Sequence, residues 1–226
     1  MQRVLRLGAF TALLLVAGAA ASAQSVTFDF NDGTDQGFGN PFSADPGNAV
    51  SVPVANVGGS NQLKLVRDGS FQEVGRRSFG ATDPFHLAMA AAAANEANYQ
   101  ISYDYRVDTS TGGFGNFLQL GTYVNAADGY YAQDFPGAGK DLELNGGQLA
   151  SGNVFSGTVT ETFSAKGYNL APGASEYELG FIINGDSATG SGIVYIDNIR
   201  IAPVPEPASL ALLGLALPVL LVRRRR

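Results

Sequence analysis

An antiparallel β-sandwich is the fold class this sequence predicts. Most of the chain consists of short runs in which apolar and polar residues alternate, the period of a half-buried strand. Clusters of Gly, Asn, Asp and Pro punctuate those runs as turns would. One segment alone has a helical composition, so the expected architecture is a sandwich carrying one short Ala-rich helix.

The elements follow in order. Val26-Thr27-Phe28-Asp29-Phe30 alternates and stops at the Asn31-Asp32-Gly33 turn. Gln62 to Val66 is a second strand, behind a turn at Val57-Gly58-Gly59. Phe85 to Asn95 is Ala-rich, with Asp83 placed to cap the start of a helix. Strands then follow over Gln100 to Val107, Phe117 to Val124, Tyr130 to Phe135, Thr158 to Phe163, Tyr177 to Ile183 and Ile193 to Ile201. Turns at Ala127-Asp128-Gly129, Asn145-Gly146-Gly147 and Asn184-Gly185-Asp186 separate several of them. A brief unstructured tether is expected before Val204.

The two ends read as addresses. Arg3 and Arg6 form a positive n-region and Leu7 to Ala17 an apolar core. Ala21 and Ala23 give small residues at the positions a signal peptidase inspects, so residues 1–23 are expected to be a helical signal segment cleaved after Ala23. Val204-Pro205-Glu206-Pro207 leads into Ala208 to Val222, which carries no charge, and Arg223, Arg224, Arg225 and Arg226 end the chain. As a helix, that apolar segment spans about 22 Å, short of a bilayer core of about 30 Å. A marginal transmembrane helix is expected, its arginines on the cytoplasmic side and the domain outside. Pro205 and Pro207 lack backbone donors and favour extended backbone, which keeps the box open to a protease.

A Pro-Glu-Pro box, one short apolar helix and a terminal arginine cluster, behind a signal peptide, resemble the PEP-CTERM sorting signal of Gram-negative bacteria. The resemblance covers residues 203–226. It implies recognition of Val204, Pro205, Glu206 and Pro207 by an exosortase-type transpeptidase. The body, residues 24–202, would be held in the inner membrane for a time and then sent to the cell surface or extracellular matrix.

Composition narrows what that body does. The chain is 226 residues long with no Cys, no Trp and one His, His86. Thiolate metal sites, disulfide frameworks and cysteine nucleophiles are excluded. Setting aside the arginines of both ends and Glu206 leaves 8 cations against 19 acids, a net charge of −11. Such a surface repels phosphate backbones, so nucleic acid is not an expected partner. His86 sits beside Phe85 and Leu87 and has no Gly-x-Ser-x-Gly elbow to serve. No enzyme is expected. Glu176 and Glu178 share a strand face and are the pair a glycan-cleaving reading would use.

The body has a second resemblance. Phe28-Asp29-Phe30-Asn31-Asp32-Gly33-Thr34-Asp35-Gln36-Gly37-Phe38 looks like the opening of carbohydrate-binding-module jelly rolls. Val194-Tyr195-Ile196-Asp197-Asn198-Ile199-Arg200-Ile201 looks like their closing strand. The likeness implies a jelly-roll sandwich, with a structural calcium clipping first and last strands through Asn31, Asp32, Thr34 and Asp197. Two positions depart from the pattern: Asn31 stands where such modules have Glu, and Phe38 where they have Trp. The first departure weakens the metal set; Phe38 can fill the same core slot. Glycan recognition needs aromatic platforms beside polar groups, and Tyr130, Tyr131, Gln133 and Asp134 are the candidate contacts, because consecutive tyrosines on a strand face opposite ways. The expected function is a secreted, non-enzymatic surface or matrix protein, structural or adhesive in an exopolysaccharide. A carbohydrate-binding module is the alternative, and a glycan-cleaving enzyme the second.

Overall fold

A computed structural model describes residues 24–39, 54–66, 71–78, 80, 82–111, 115–126, 130–133, 141–150, 152–168, 170–185 and 193–205. The signal segment, the apolar tail, its arginines and Asp134 lie outside these residues, and among the described residues no helix is long and apolar enough to cross a membrane.

Two antiparallel sheets face each other. The strands in chain order are β1 (Val26–Phe28), β2 (Phe38–Gly39), β3 (Val54–Val57), β4 (Ser60–Val66), β5 (Phe71–Ser78), β6 (Tyr99–Asp108), β7 (Phe117–Ala126), β8 (Tyr130–Gln133), β9 (Leu142–Asn145), β10 (Val154–Thr162), β11 (Tyr177–Gly185) and β12 (Ile193–Pro203). The first sheet runs β10-β6-β12-β4-β3, with β1 added beside β12; the second runs β2-β5-β11-β7-β8, with β9 added beside β7. The predicted β-sandwich is therefore the observed fold. The first and last strands are neighbours, Phe28 opposite Ile199 and Val26 opposite Ile201.

Alternation decides the core. Along β6, Ile101, Tyr103 and Val107 are buried, and along β12 Val194 and Ile196. On β11 nearly every residue is buried, so that strand is covered on both faces. Rings link the layers edge to face: Phe28 lies 5.2 Å from Phe38 and 5.9 Å from Phe85, and Phe181 4.9 Å from Tyr103. Each such ring buried is worth about 1.5–3 kcal/mol, with a further increment for the edge-on geometry. Phe38 is 1% exposed and fills the slot expected of it.

The helix α1 (Pro84–Ala94) starts one residue before the predicted segment, with Asp83 as its cap and Pro84 in its first turn. Asp83 accepts from the Phe85 amide at 2.9 Å and also pairs with Arg76, Nη2 to Oδ2 at 3.1 Å. Arg76 lies over the rings of Phe28 and Phe85, at 4.9 and 5.3 Å. This cation–π contact explains how a guanidinium ends among aromatic side chains. The alanines leave α1 thin enough to sit against β1, β6, β11 and β12. His86 is buried on this helix, Nδ1 3.2 Å from Ser78 Oγ and edge-on to Tyr177.

Three details differ from the sequence reading. The opening strand ends at Phe28, and Phe30 takes a positive φ of 52° while staying fully buried. Strands β2, β3 and β9 carry too few residues, and β5 too irregular an alternation, to declare themselves. The expected tether before Val204 is not there: β12 runs through Pro203, and the Val204 amide donates to the Asn98 carbonyl at 2.8 Å. The fold continues up to the Pro-Glu-Pro box.

Candidate functional site

The outer face of the first sheet holds an open depression of about 360 Å³. Period two places it. The residues alternating with the core positions are Asp104 and Arg106 on β6, Tyr195 and Asp197 on β12, Gln62 on β4, and Ser156 and Thr158 on β10. All seven line the depression, with Tyr105 and Gly157. Register aligns them in two rows. Thr158 stands opposite Asp104, which stands opposite Asp197; Ser156 stands opposite Arg106, which stands opposite Tyr195.

The carboxylates are held in place. Asp104 accepts from Thr158 Oγ1 at 2.5 Å and from Asn198 Nδ2 at 2.8 Å. Asp197 accepts from Ser60 Oγ and from the Asn198 amide, both at 2.8 Å. Asn198 reaches both because β12 shifts register there, with Asn198 at a φ of 50°; an Asn tolerates that left-handed backbone. Burial pushes the Asp197 pKa up, and the charges of Asp104 and Asp29 push the same way. Arg106 is about one-third exposed, 3.7 Å from Asp108, and its Nε has no hydrogen-bond partner among the described residues. Two tyrosine rings, one guanidinium, two carboxylates, an amide and the hydroxyls of Ser156 and Thr158 thus meet on rigid strands. Such a set offers a polar ligand hydrogen-bond donors and acceptors beside aromatic surface.

No protein-family model matches the chain, and no curated protein does. Solved structures do. A carbohydrate-binding module specific for non-crystalline cellulose, CBM28, superposes with a TM-score of 0.53 at 15% identity, over 76% of this chain and 90% of that one. That likeness is one of fold. The CBM27-1 module of Caldicellulosiruptor saccharolyticus, solved with mannohexaose, matches at 0.47 and 13% identity, over 78% of this chain and 95% of that one. A mannan-recognising module, TmCBM27, matches at 0.43 and 16% identity, over 81% of this chain and all of that one.

The residues expected from sequence divide between places. Asn31, Asp32 and Thr34 form the turn after β1. Asp32 accepts from the Thr34 amide at 2.9 Å and hydroxyl at 2.8 Å, and these bonds hold its carboxyl below the usual range. The Asn31 carbonyl accepts from Asn61 Nδ2, next in sequence to the Ser60 that holds Asp197. The acid of the opening segment whose charge acts on Asp197 is Asp29. Among the described residues no group of three or more His, Asp or Glu is placed to hold a metal ion.

Tyr130, Tyr131 and Gln133 lie on β8, in the second sheet. Tyr131 pairs with Asn125, Gln133 with Tyr123, and Tyr130 with Ala126. On that sheet's outer side Tyr123 lies across Gly75 and Gly180, where a Cβ on either glycine would overlap its ring or hydroxyl. Tyr123 donates to Glu178 at 2.6 Å, and Arg77 Nε reaches Glu178 at 2.7 Å and Glu176 at 3.2 Å. Glu178 is 1% exposed, both of its oxygens engaged, and works as an anchor for Tyr123. Of the paired tyrosines of β6, Tyr103 is core. Asp104, Arg106 and Tyr195 entered the sequence reading only as neighbours or parts of a strand. The signal that would have found them is the period-two complement of Ile101, Tyr103, Val107, Val194 and Ile196.

Proposed function

We propose that the sandwich is a non-catalytic carbohydrate-binding module that takes an uncharged glycan chain on the outer face of the first sheet. The observation that supports it is the depression where Tyr195 and Arg106 stand beside Asp104, Asp197, Gln62 and Thr158. A pyranose offers an apolar face for a ring and hydroxyl edges for planar polar groups; this lining offers both. A body of net charge −11 disfavours anionic polymers. The cellulose- and mannan-directed modules that resemble this chain in shape agree with the reading. The sorting signal fits beside it: the module is exported, processed near Val204 to Pro207 by an exosortase-type enzyme, and left at the surface or in the matrix to hold exopolysaccharide. On that reading, mass spectrometry of the mature protein finds a chain lacking Arg226; a mature chain that retains it overturns the sorting.

The glycan test is a titration with soluble neutral polysaccharides. Tyr195→Ala and Arg106→Ala are each expected to weaken binding at least about tenfold, equal to about 1.4 kcal/mol, with the melting temperature kept. If Tyr131→Ala abolishes binding while Tyr195→Ala leaves it intact, the site is the second sheet. If no glycan binds the wild type, the module reading fails.

Calcium belongs to the same reading. Asp197 would be its buried ligand, with Asn31, Asp32 and Thr34 supplying oxygens from the turn. In support, Asp197 is 5% exposed and faces the charges of two other aspartates, so a cation would relieve it. Without metal, a raised pKa means that folding is favoured by the neutral acid. That contribution is complete below about pH 3.9 and is lost as pH rises through the folded-state value. In EDTA at neutral pH, Asp197→Asn is therefore expected to raise the melting temperature slightly. In calcium the wild type is expected to gain and Asp197→Asn not to respond. A wild type indifferent to calcium overturns the metal.

A further inference from the structure

We propose that β10 is the contact edge of a two-fold dimer in which two copies of this chain join their first sheets edge to edge. Strand lengths carry the argument. Among the described residues the sheet margins are β3, β1 and β10 in the first sheet and β2, β8 and β9 in the second, β1 with 3 residues and β9 with 4. β2 has 2 residues, and β3 and β8 have 4 each. β10 has 9, all in continuous register with β6 and without a bulge. Natural edges are blunted by shortness, Lys, Pro, bulges or cover. β10 reads VFSGTVTET, with no Lys, Arg or Pro. Its Val154 is 43% exposed, and Ser156, Thr158 and Thr160 are exposed too. Among the described residues β10 pairs with β6 alone, so its outer backbone groups form a ready template for another strand.

The strand is also complementary to itself. An antiparallel copy centred on Thr158 sets Thr158 against Thr158, Ser156 against Thr160, Gly157 against Val159 and Val154 against Thr162. The one charged residue, Glu161, then faces Phe155, so no like charges meet. Two six-stranded sheets become one of twelve. Ser156, Gly157 and Thr158 also wall the depression, so two depressions would flank the dyad. Where the glycan reading holds, one chain could engage both and gain avidity. The dimer itself does not depend on that reading.

The native chain has no cysteine, which makes the test clean. In the full chain in detergent, Thr158→Cys sits on the dyad, where facing Cβ atoms come within about 4.5–5.5 Å. Oxidation is expected to convert most of it to a covalent dimer. Thr160→Cys, its counterpart displaced along the strand by about 14 Å, is expected to cross-link at least tenfold more slowly. Thr158→Lys sets two ammonium groups opposite each other and is expected to sediment as monomer with an unchanged circular-dichroism spectrum. Equal cross-linking of the two cysteine variants, or a Thr158→Lys chain of the same mass as a dimeric wild type, overturns the proposal. So does a wild type that stays monomeric at high micromolar concentration.

Discussion

Replacing Asp141 by Ala is expected to remove about 3–5 kcal/mol of stability. Asp141 and Lys166 form an ion pair whose side chains are 1% and 0% exposed. The pair exists because α2 (Phe163–Lys166) is one turn long. Thr162 caps it by accepting from the Ala165 amide at 3.1 Å, and Gly167 ends it at a φ of 70°. That turn aims Phe163 and Lys166 together into the interior. Asp141 meets the ammonium there and accepts from the Tyr103 hydroxyl at 2.5 Å. The next carboxylate, Glu161, lies 3.9 Å from Lys166 and is half exposed. Removing Asp141 takes the nearest counter-charge from a buried cation, and such a cation is strongly destabilising. The melting temperature should fall by roughly 10 °C. Replacing Asp141, Lys166 and Tyr103 together, with Asp141→Leu, Lys166→Met and Tyr103→Phe, is expected to recover most of the loss, because a well-packed apolar group is close to neutral against a buried pair. A loss below about 1 kcal/mol for Asp141→Ala would mean that the ammonium reaches water.

Gly180→Ala is expected to destabilise by about 1–3 kcal/mol, toward the upper end. Gly180 is buried in the middle of β11, and the ring of Tyr123 lies flat on it. An added methyl would overlap that ring. A flexible side chain would swing away; Tyr123 cannot, because it is fully buried and its hydroxyl is tied to Glu178, itself gripped by Arg77. Gly75, opposite Gly180 in β5, makes the same room for the hydroxyl. The two glycines are therefore seats for one ring. A double-mutant cycle with Tyr123→Ala checks this: the pair should lose clearly less than the sum of the singles, by at least about 0.5 kcal/mol. Additive losses would show that the glycine matters for backbone freedom alone.

These two cases mark how far residues can be read without coordinates. Glu178 looked like a solvated edge acid or half of a catalytic pair, because alternation says only that Glu176 and Glu178 share a face. Whether that face is covered depends on Tyr123, which lies 55 positions away and arrives through strand pairing. Lys166 follows a strand-like segment and carries no sign of burial. Its fate is set by a one-turn helix closed by Thr162 and Gly167. By contrast, Asp83 and Pro84 declare the start of α1 within the chain itself, since capping is a contact between residues two or three apart.

The site shows the same division. Asp197 and Tyr195 were visible as parts of a closing strand, and Asp104 and Arg106 as members of an alternating run. Nothing local joins them. Register does, by setting Asp104 opposite Asp197 and Arg106 opposite Tyr195 across roughly 90 residues of chain. Tyr130, Tyr131 and Gln133 lie in the other sheet for the same reason: β8 pairs with β7 rather than with β6 or β12.

From sequence alone, then, come the strand segments, the turns between them, the helix start and the acidic, cysteine-free character of the body. All of these depend on neighbours in the chain: a side-chain period of two, a cap, a turn residue or a count. Only the tertiary structure decided which alternate face is core, which strands adjoin, where Lys166 and Glu178 are buried, and that Tyr195, Arg106, Asp104 and Asp197 share one depression. Those depend on non-local pairing, where a shift of one residue turns every side chain of a strand to the opposite face.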